Sequence, residues 1–192
     1  MSIDKMGMEG FMYDPQIFLE DMLADARNIF PDIYAVLVKP EEMIFEERSA
    51  MNCFYCGKYN RNWKCPPNLP KIDYPKMFTE YEYGAFVYLK SPFADETYED
   101  VRAQSSIRLH RTLLRMEKYL WEHGNAVAIS FGAGSCKLCK GGCGKERCNN
   151  PYAARSPLEA TGVNVIKSAG KYNISIKFPP KDFIVRLGLI LW

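Results

Sequence analysis

The chain has 192 residues, of which 47% are hydrophobic and 25% are charged, and its formal net charge at pH 7 is +2. This composition is ordinary for a globular protein and excludes a disordered or fibrous chain, while so small a net charge does not indicate nucleic-acid binding. The length predicts one domain that buries a substantial core.

The first half of the chain is predicted to contain one helix and two strands. An amphipathic pattern predicts a helix over about 14–29, which ends before Pro31 because a residue preceding proline avoids the helical region. A short strand follows near 34–38, and GAFVYLK at 84–90 has the composition of a second strand. Between them, residues 48–75 are rich in Asn, Pro, Gly and Tyr, which predicts irregular backbone shaped by bound ligands.

The second half begins with the longest predicted helix, from about Tyr98 to Glu122. Its buried stripe is marked by apolar residues at helical spacing, namely Leu109, Leu113, Met116 and Leu120. A buried strand at 125–134 then leads directly into a cysteine-rich segment. Beyond that segment we expect a short helix capped by Ser156 and then two closing strands, NISIKF and FIVRLGLIL.

Alternation of strands and helices predicts an α/β fold. We expect a single domain over 1–192 with a central sheet flanked by helices. Two cysteine-rich metal-binding loops would interrupt it as insertions, at about 48–75 and 132–155. The order of the strands is left open by the sequence.

The start of the chain lacks the basic, apolar and small-residue order of a signal peptide. No apolar run approaches the roughly 18 residues that span a bilayer, because Arg186 interrupts the longest. We therefore expect a cytoplasmic protein with no membrane or nucleic-acid partner. Disulfides are rare in that compartment, so the odd count of seven cysteines indicates metal binding or redox chemistry.

Four cysteines form one group with the spacing C-x2-C-x3-C-x4-C, namely Cys136, Cys139, Cys143 and Cys148. A structural zinc site usually joins two C-x2-C pairs across a loop of roughly 12–20 residues. Iron–sulfur clusters are instead held by consecutive runs such as C-x2-C-x2-C-x3-C-P, and here the last two gaps are each one residue longer and Pro151 follows. The spacing favours an iron–sulfur cluster of the 4Fe-4S kind over zinc, and inert or redox thiols come last.

Glycines and basic residues surround these four cysteines. The glycines allow the backbone to approach a metal centre closely. The basic residues oppose the negative charge of several thiolates, or else simply form a solvated loop. They are Lys137, Lys140, Lys145, Arg147 and Arg155, and the glycines are Gly132, Gly134, Gly141, Gly142 and Gly144.

The four cysteines above are the second group along the chain. The first group, which is followed by two prolines, consists of Cys53, Cys56 and Cys65. Three hypotheses stay open for it. The group holds a second iron–sulfur cluster with one iron free of cysteine, it contributes a thiol to one site shared with the other four cysteines, or it binds zinc with a histidine or carboxylate. The aromatic residues between its cysteines shield a centre from water or belong to the core; they are Phe54, Tyr55, Tyr59 and Trp63.

Histidines and acidic residues are weaker candidates. We expect His110 to be a half-buried helix residue and His123 to cap the C-terminus of the long helix. Asp73 and Glu146 are read as surface carboxylates. No nucleotide-binding loop, nucleophile elbow or H-E-x-x-H motif is present, so the sequence identifies no catalytic residue.

With both groups in view, the chain resembles an uncharacterised family of cysteine-rich predicted metal-binding proteins, a domain of unknown function found mainly in anaerobic bacteria and methanogenic archaea. The resemblance covers most of the chain. In that family the segment after the cysteines looks like R-P-S-M-E-A-x-G, whereas this chain has RSPLEATG, with Ser and Pro exchanged and Leu in place of Met. The matching residues are Cys53, Cys56, Cys65, Pro66, Pro67, Gly134, Cys136, Cys139, Cys143, Cys148, Pro151, Arg155 to Ala160 and Gly162.

The resemblance implies metal binding but no reaction. From the residues we expect an iron–sulfur protein that carries two clusters and exchanges electrons with an acidic partner protein, docked by the basic residues near the second group. Two alternatives remain: an enzyme that uses an open iron on a small molecule, and a zinc-stabilised interaction module.

Overall fold

The computed structural model describes residues 14–192, in which helices alternate with strands. In chain order the elements are α1 (Pro15–Arg27), β1 (Tyr34–Val38), α2 (Glu47–Tyr55), α3 (Tyr74–Phe78), β2 (Gly84–Pro92), α4 (Tyr98–Glu122), β3 (Ile129–Phe131), α5 (Val165–Lys171) and β4 (Phe183–Leu191). Short 3-10 turns lie at Pro40–Glu42, Asp95–Thr97 and Leu158–Thr161. None of the helices over 14–192 has the length and apolar character that a membrane crossing requires.

The strands form one antiparallel sheet in the order β1-β2-β4-β3. The C-terminal strand β4 therefore lies inside the sheet, where Leu191 pairs with Gly84 of β2 on one side and with Ile129 of β3 on the other. The described residues form a single α/β domain with a central sheet, as the sequence predicts. The antiparallel strand order is what the sequence left open.

Helices α1 and α4 cover one face of the sheet. Alternate residues of β2, Ala85, Val87 and Leu89, face these helices because successive side chains of a strand point to opposite sides. The predicted stripe of α4 is confirmed, since Leu109, Leu113, Met116 and Leu120 have no exposed surface.

The opposite face carries a second apolar cluster. It is built from the other residues of β2 and β4, such as Phe86 and Leu189, packed against Phe78 of α3 and Leu158 of the last 3-10 turn. Both faces of the sheet are thus covered, and none of the cysteines belongs to either apolar cluster.

The predicted elements of the first half are largely confirmed. The two strands lie where expected and α1 is slightly shorter, with Asp14 as its N-cap. The prediction of irregular backbone over 48–75 was wrong at both ends, where α2 and α3 form. The Asn- and Pro-rich composition applies only to the residues between them, and α2 buries no residue that would mark it in the sequence.

The second half shows three corrections. The strand expected at 125–134 is limited to β3, because only those residues pair with the end of β4. The expected helix after the cysteines is split in two: the 3-10 turn ends at Gly162, whose φ is +95°, and Asn164 rather than Ser156 caps the following helix α5. NISIKF forms no strand, because Asn173 has a φ of 59° and Ile174 N instead bonds back to Ala169 O, which closes α5.

Candidate metal centre

The first cysteine group is positioned by the end of α2. Cys53 lies in the last turn of this helix and Cys56 is its C-cap residue, whose N–H donates to the Cys53 carbonyl at 3.4 Å. Gly57, with a φ of +73°, then turns the chain. The chain returns to Cys65, which is only 5% exposed and whose N–H donates to Asn62 O at 3.0 Å.

The second group lies on a loop whose two ends are joined. Gly132 follows β3, donates its N–H to Ser156 O at 2.9 Å and accepts from Leu158 N at 2.8 Å. Residues 133–155 between these bonds contain no helix or strand. The loop that we call the four-cysteine loop, residues 133–155, therefore extends from a fixed base at the sheet edge.

Helix α4 fixes the returning end of this loop. The carboxylate of Glu117, which is fully buried, accepts from the guanidinium of Arg155 and from Ser130 N of β3 at 2.6 Å. His110 Nε2 donates to Ala153 O at 2.7 Å. Buried polar groups of α4 thus hold the backbone on both sides of the loop.

Tight backbone packing occurs inside the four-cysteine loop at Gly144. A Cβ at this position would lie 2.2 Å from Arg147 O and 2.5 Å from Asn149 Oδ1, so that only glycine fits. At Gly141, by contrast, a Cβ would meet nothing within 4 Å. Gly144 is thus fixed as glycine by lack of space, while Gly134 and Gly142 have φ values of +69° and +84°, which favour glycine through the backbone.

Two side chains of the first group tie it to the four-cysteine loop. Asn62, which is 7% exposed, donates from Nδ2 to Cys136 O at 3.1 Å, and Trp63 Nε1 donates to Gly144 O at 2.7 Å. Trp63 is therefore a bridging residue, whereas Phe54 and Tyr55 are more than half exposed and do not belong to the core. Neither bridging role could be read from the sequence.

All seven cysteines line one cleft of about 1130 Å³. They converge from α2, from the segment that follows it and from the four-cysteine loop. Within residues 14–192, however, no three cysteine, histidine or carboxylate side chains lie close enough together to hold an ion. The thiols share a cleft, and their side chains must still rotate to gather around a metal.

Burial shapes the acidity of these thiols. It raises the pKa of Cys65 to about 12, with further effects from the thiols of Cys56 and Cys53. Burial also raises the pKa of Cys53 to about 11. It raises the pKa of Cys136 as well, and the neighbouring thiols of Cys148, Cys139 and Cys143 add to that effect. The thiols of Cys53, Cys65 and Cys136 therefore stay protonated at neutral pH, and binding of a metal cation would release those protons.

The donor set fits a metal–thiolate centre. Thiolates are soft ligands that suit iron and zinc, and four of them arrive from one short loop. Asn150 Nδ2 also donates to Cys139 Sγ at 3.0 Å, a type of contact that orients thiolate ligands and tunes a bound metal.

Glu159 lies beside the first group and was missed as a candidate residue. Its Oε1 accepts from Gly134 N at 2.9 Å, and its backbone carbonyl accepts a weak bond from the Cys53 thiol at 3.9 Å. Burial raises the pKa of Glu159, opposed by the Gly134 bond and by the charges of Arg186 and Lys137. In the sequence, Glu159 is only one of the matching residues of the segment RSPLEATG, and nothing there marks it as a neighbour of the cysteines.

The chain matches, over residues 36–192, a family described as predicted metal-binding protein (DUF2284). The chain belongs to this family. Membership in DUF2284 confirms the resemblance, and the description of the family predicts metal binding without naming a metal or a reaction. No curated protein and no solved structure shows significant similarity to the chain.

The basic residues of this DUF2284 chain do not all lie around the loop surface as expected. Lys140, Lys145 and Arg147 are exposed. Lys137 lies in the cleft and donates to Ser106 Oγ, while Arg155 forms a salt bridge with Glu117. Of the five basic residues expected around the four cysteines, three are therefore exposed on the loop.

The other candidate residues of the DUF2284 chain lie away from the cleft. His110 is 5% exposed, more buried than expected, and His123 is the C-cap of α4 as predicted, its Nδ1 donating to Tyr119 O at 2.7 Å. Asp73 caps α3 by accepting from Lys76 N at 3.0 Å, and Glu146 is exposed. Both carboxylates are surface residues, as expected.

Proposed function

We propose that this protein holds two iron–sulfur clusters in one cleft and transfers electrons to or from a partner protein. The observation that carries the proposal is the convergence of all seven cysteines on the same cleft. Asn62, three residues before Cys65, donates to Cys136 O at 3.1 Å, so the two groups are near neighbours. Short separation between two redox centres is what electron transfer needs.

In this proposal Cys136, Cys139, Cys143 and Cys148 hold one 4Fe-4S cluster. When bound, such a cluster supplies one-electron redox chemistry over a wide range of potential. The protein sets that potential through its own groups. Asn150 donates a hydrogen bond to Cys139, and Trp63 and Asn62 hold the loop backbone in place.

Cys53, Cys56 and Cys65 hold the second cluster in the proposal and leave one metal position without a cysteine. Glu159 is the carboxylate beside this position, since its charge contributes to the raised pKa of both Cys53 and Cys65. Carboxylate and water are both available as the remaining ligand, which distinguishes this centre from the four-cysteine one.

The proposed partner is an acidic protein surface. Lys140, Lys145 and Arg147 project from the four-cysteine loop, next to the cluster that would exchange electrons. Complementary charge steers association and fixes orientation more than it adds affinity. Electron transfer with such a partner is therefore expected to slow as salt concentration rises.

Metal analysis is the experiment that tests the proposal. Protein purified without oxygen is assayed for iron, zinc and acid-labile sulfide, and its visible spectrum is recorded before and after dithionite. About eight irons per chain, matched by sulfide, are expected for two 4Fe-4S clusters. Stoichiometric zinc without colour would overturn the proposal and indicate a zinc-stabilised interaction module.

A pair of cysteine variants tests whether there are two sites. Cys65→Ser is expected to lose about half of the iron and sulfide and to keep the four-cysteine cluster, and Cys143→Ser is expected to show the reverse. Electron paramagnetic resonance of the reduced variants identifies which cluster remains. Loss of all bound metal from both variants would instead show one shared site.

The size of the cleft favours a second candidate function. Ligand pockets commonly have volumes of roughly 300–1,000 Å³, and this cleft has about 1130 Å³ with charged side chains among its lining residues. A cluster with an open metal position would then act on a small molecule as a Lewis acid.

A further inference from the structure

Two partly buried cations in the cleft lack an acidic partner. Lys137 Nζ donates to Ser106 Oγ at 3.4 Å and to Ser135 O at 3.2 Å, and Arg186 donates from Nε to Ser105 Oγ at 3.1 Å and from Nη2 to Arg102 O at 2.9 Å. All four acceptors are neutral. Within residues 14–192, neither cation forms a salt bridge.

Two other partly buried arginines of the protein are each paired with a carboxylate. Arg155, the most buried arginine in a salt bridge, pairs with Glu117, and Arg115, about one third exposed, pairs with Asp25. A cation removed from water without a counter-charge is unfavourable, so proteins pair buried charges. Lys137 and Arg186 differ from these arginines because no carboxylate of residues 14–192 is paired with them.

The surroundings of the two cations are also positive. Arg102 and Lys58 line the same cleft. The carboxylate of Glu159 is near but already accepts from Gly134 N, and it forms no salt bridge with either cation. Apart from the cysteines, the charged groups around Lys137 and Arg186 are thus two further cations and one carboxylate.

Both cations have donor hydrogens that the described residues do not use. The lysine ammonium has three donor hydrogens and two acceptors, and in the described part of the chain Nη1 of Arg186 has no acceptor. The serine hydroxyls of α4 fix both side chains, so little side-chain entropy is lost when they bind a ligand. The neighbouring cleft wall includes Ala103 and Ile107 of α4, which are apolar.

We propose that this cleft binds a small organic anion, whose carboxylate or phosphate group contacts Lys137 and Arg186 and whose apolar part lies against Ala103 and Ile107 of α4. The anionic group would lie on the side of Glu159, next to Cys53 and Cys65. This proposal goes beyond electron transfer and does not depend on which metal is bound. It gives the cleft a ligand of defined chemistry beside the three-cysteine site.

Calorimetric titration of the purified, metal-loaded protein tests the proposal with three probes that share one tail: hexanoate, monohexyl phosphate and 1-hexanol. Saturable binding is expected for an anionic probe and not for 1-hexanol. Preference for hexanoate identifies a carboxylate ligand, and preference for monohexyl phosphate identifies a phosphate ester. Absence of saturable binding by both anions, or equal binding of 1-hexanol, would overturn the proposal.

Variants assign the site. Lys137→Gln and Arg186→Gln are each expected to weaken anion binding about tenfold, the effect of one charge-assisted hydrogen bond, whereas Lys137→Arg keeps the charge and retains binding. The matched control is Lys177→Gln, which removes the same charge from an exposed residue of the same cleft. Equal weakening by the control would overturn the assignment.

Two accompanying measurements separate this proposal from the cluster proposal. Unfolding temperature and metal content of each variant show whether the protein is folded and loaded. A protein that holds zinc yet binds the anion through Lys137 and Arg186 supports the anion site alone. A protein that holds iron and sulfide but binds neither anion supports the clusters alone.

Discussion

Glu117 is a carboxylate without exposed side-chain surface, set among the apolar residues of α4. It stabilises the fold because each of its oxygens is used: Arg155 and Ser130 N both donate to it. The residue joins α4, β3 and the end of the four-cysteine loop. A buried carboxylate is tolerated only when it is fully paired. Loss of the Glu117 charge would leave the largely buried Arg155 without a counter-charge, which is destabilising.

Replacement of this carboxylate is therefore expected to destabilise the protein strongly. Glu117→Gln should lower the free energy of unfolding by about 3 kcal/mol, because Arg155 then remains buried without a counter-charge. The measurement is urea unfolding of metal-free protein. The matched control is Glu122→Gln, which removes an exposed ion pair with Lys118 on the same helix and should cost less than about 1 kcal/mol. Equal losses for the two variants would contradict the role given to Glu117.

Single residues differ in how far the sequence reveals them. The seven cysteines stand out because their spacing is local, and all of them line the cleft. Asn62, Trp63 and Glu159 do not stand out, since their partners lie far along the chain at Cys136, Gly144 and Gly134. Contacts of this range are fixed by the fold and have no signature in the sequence.

At the scale of elements, periodic patterns identify the core elements well. Helix α4 begins and ends where its apolar stripe predicts, and the strands β1 and β2 lie where β-branched and aromatic residues cluster. Helix α2 was missed because it buries no residue. NISIKF has the composition of a strand, but it packs its isoleucines beside α5 without pairing with the sheet.

The wrap of the four-cysteine loop depends on one glycine more than on its neighbours. Gly144→Ala is expected to open the loop and to remove most of the metal from the four-cysteine site, because its Cβ would overlap Arg147 O. Gly141→Ala, in the same loop, has space for a Cβ and should keep the metal. Metal content per chain is the measurement. Full occupancy in Gly144→Ala would show that the free loop differs from its metal-bound form at this point.

For the whole molecule, the contact between α4 and the sheet decides where the cleft lies. Gly188 of β4 faces α4, and a Cβ there would lie 2.7 Å from Leu113 Cδ1 and 2.6 Å from Phe131 O. Glycine in a central strand permits such close approach. The helix that positions Ser105, Ser106 and Glu117 is thereby held close to the strand that carries Arg186.

A methyl group at this contact is expected to separate helix and sheet. Gly188→Ala should lower the free energy of unfolding by about 1–3 kcal/mol, the usual cost of overpacking. The control is Gly170→Ala in α5, where a Cβ meets nothing within 4 Å and alanine should stabilise the helix by up to about 1 kcal/mol. Thermal and urea unfolding measure both, and a neutral Gly188→Ala would show that α4 has room to shift.

The position of β4 also sets the order in which the molecule is built. β3 pairs with β4 alone among the described strands, and β4 follows both cysteine groups in the chain. On the ribosome, the thiols thus emerge before the strand that supports the base of the four-cysteine loop has been translated. The nascent chain then has all seven cysteines but not yet the cleft that they line, so we expect a metal centre to form only after β4 has left the ribosome.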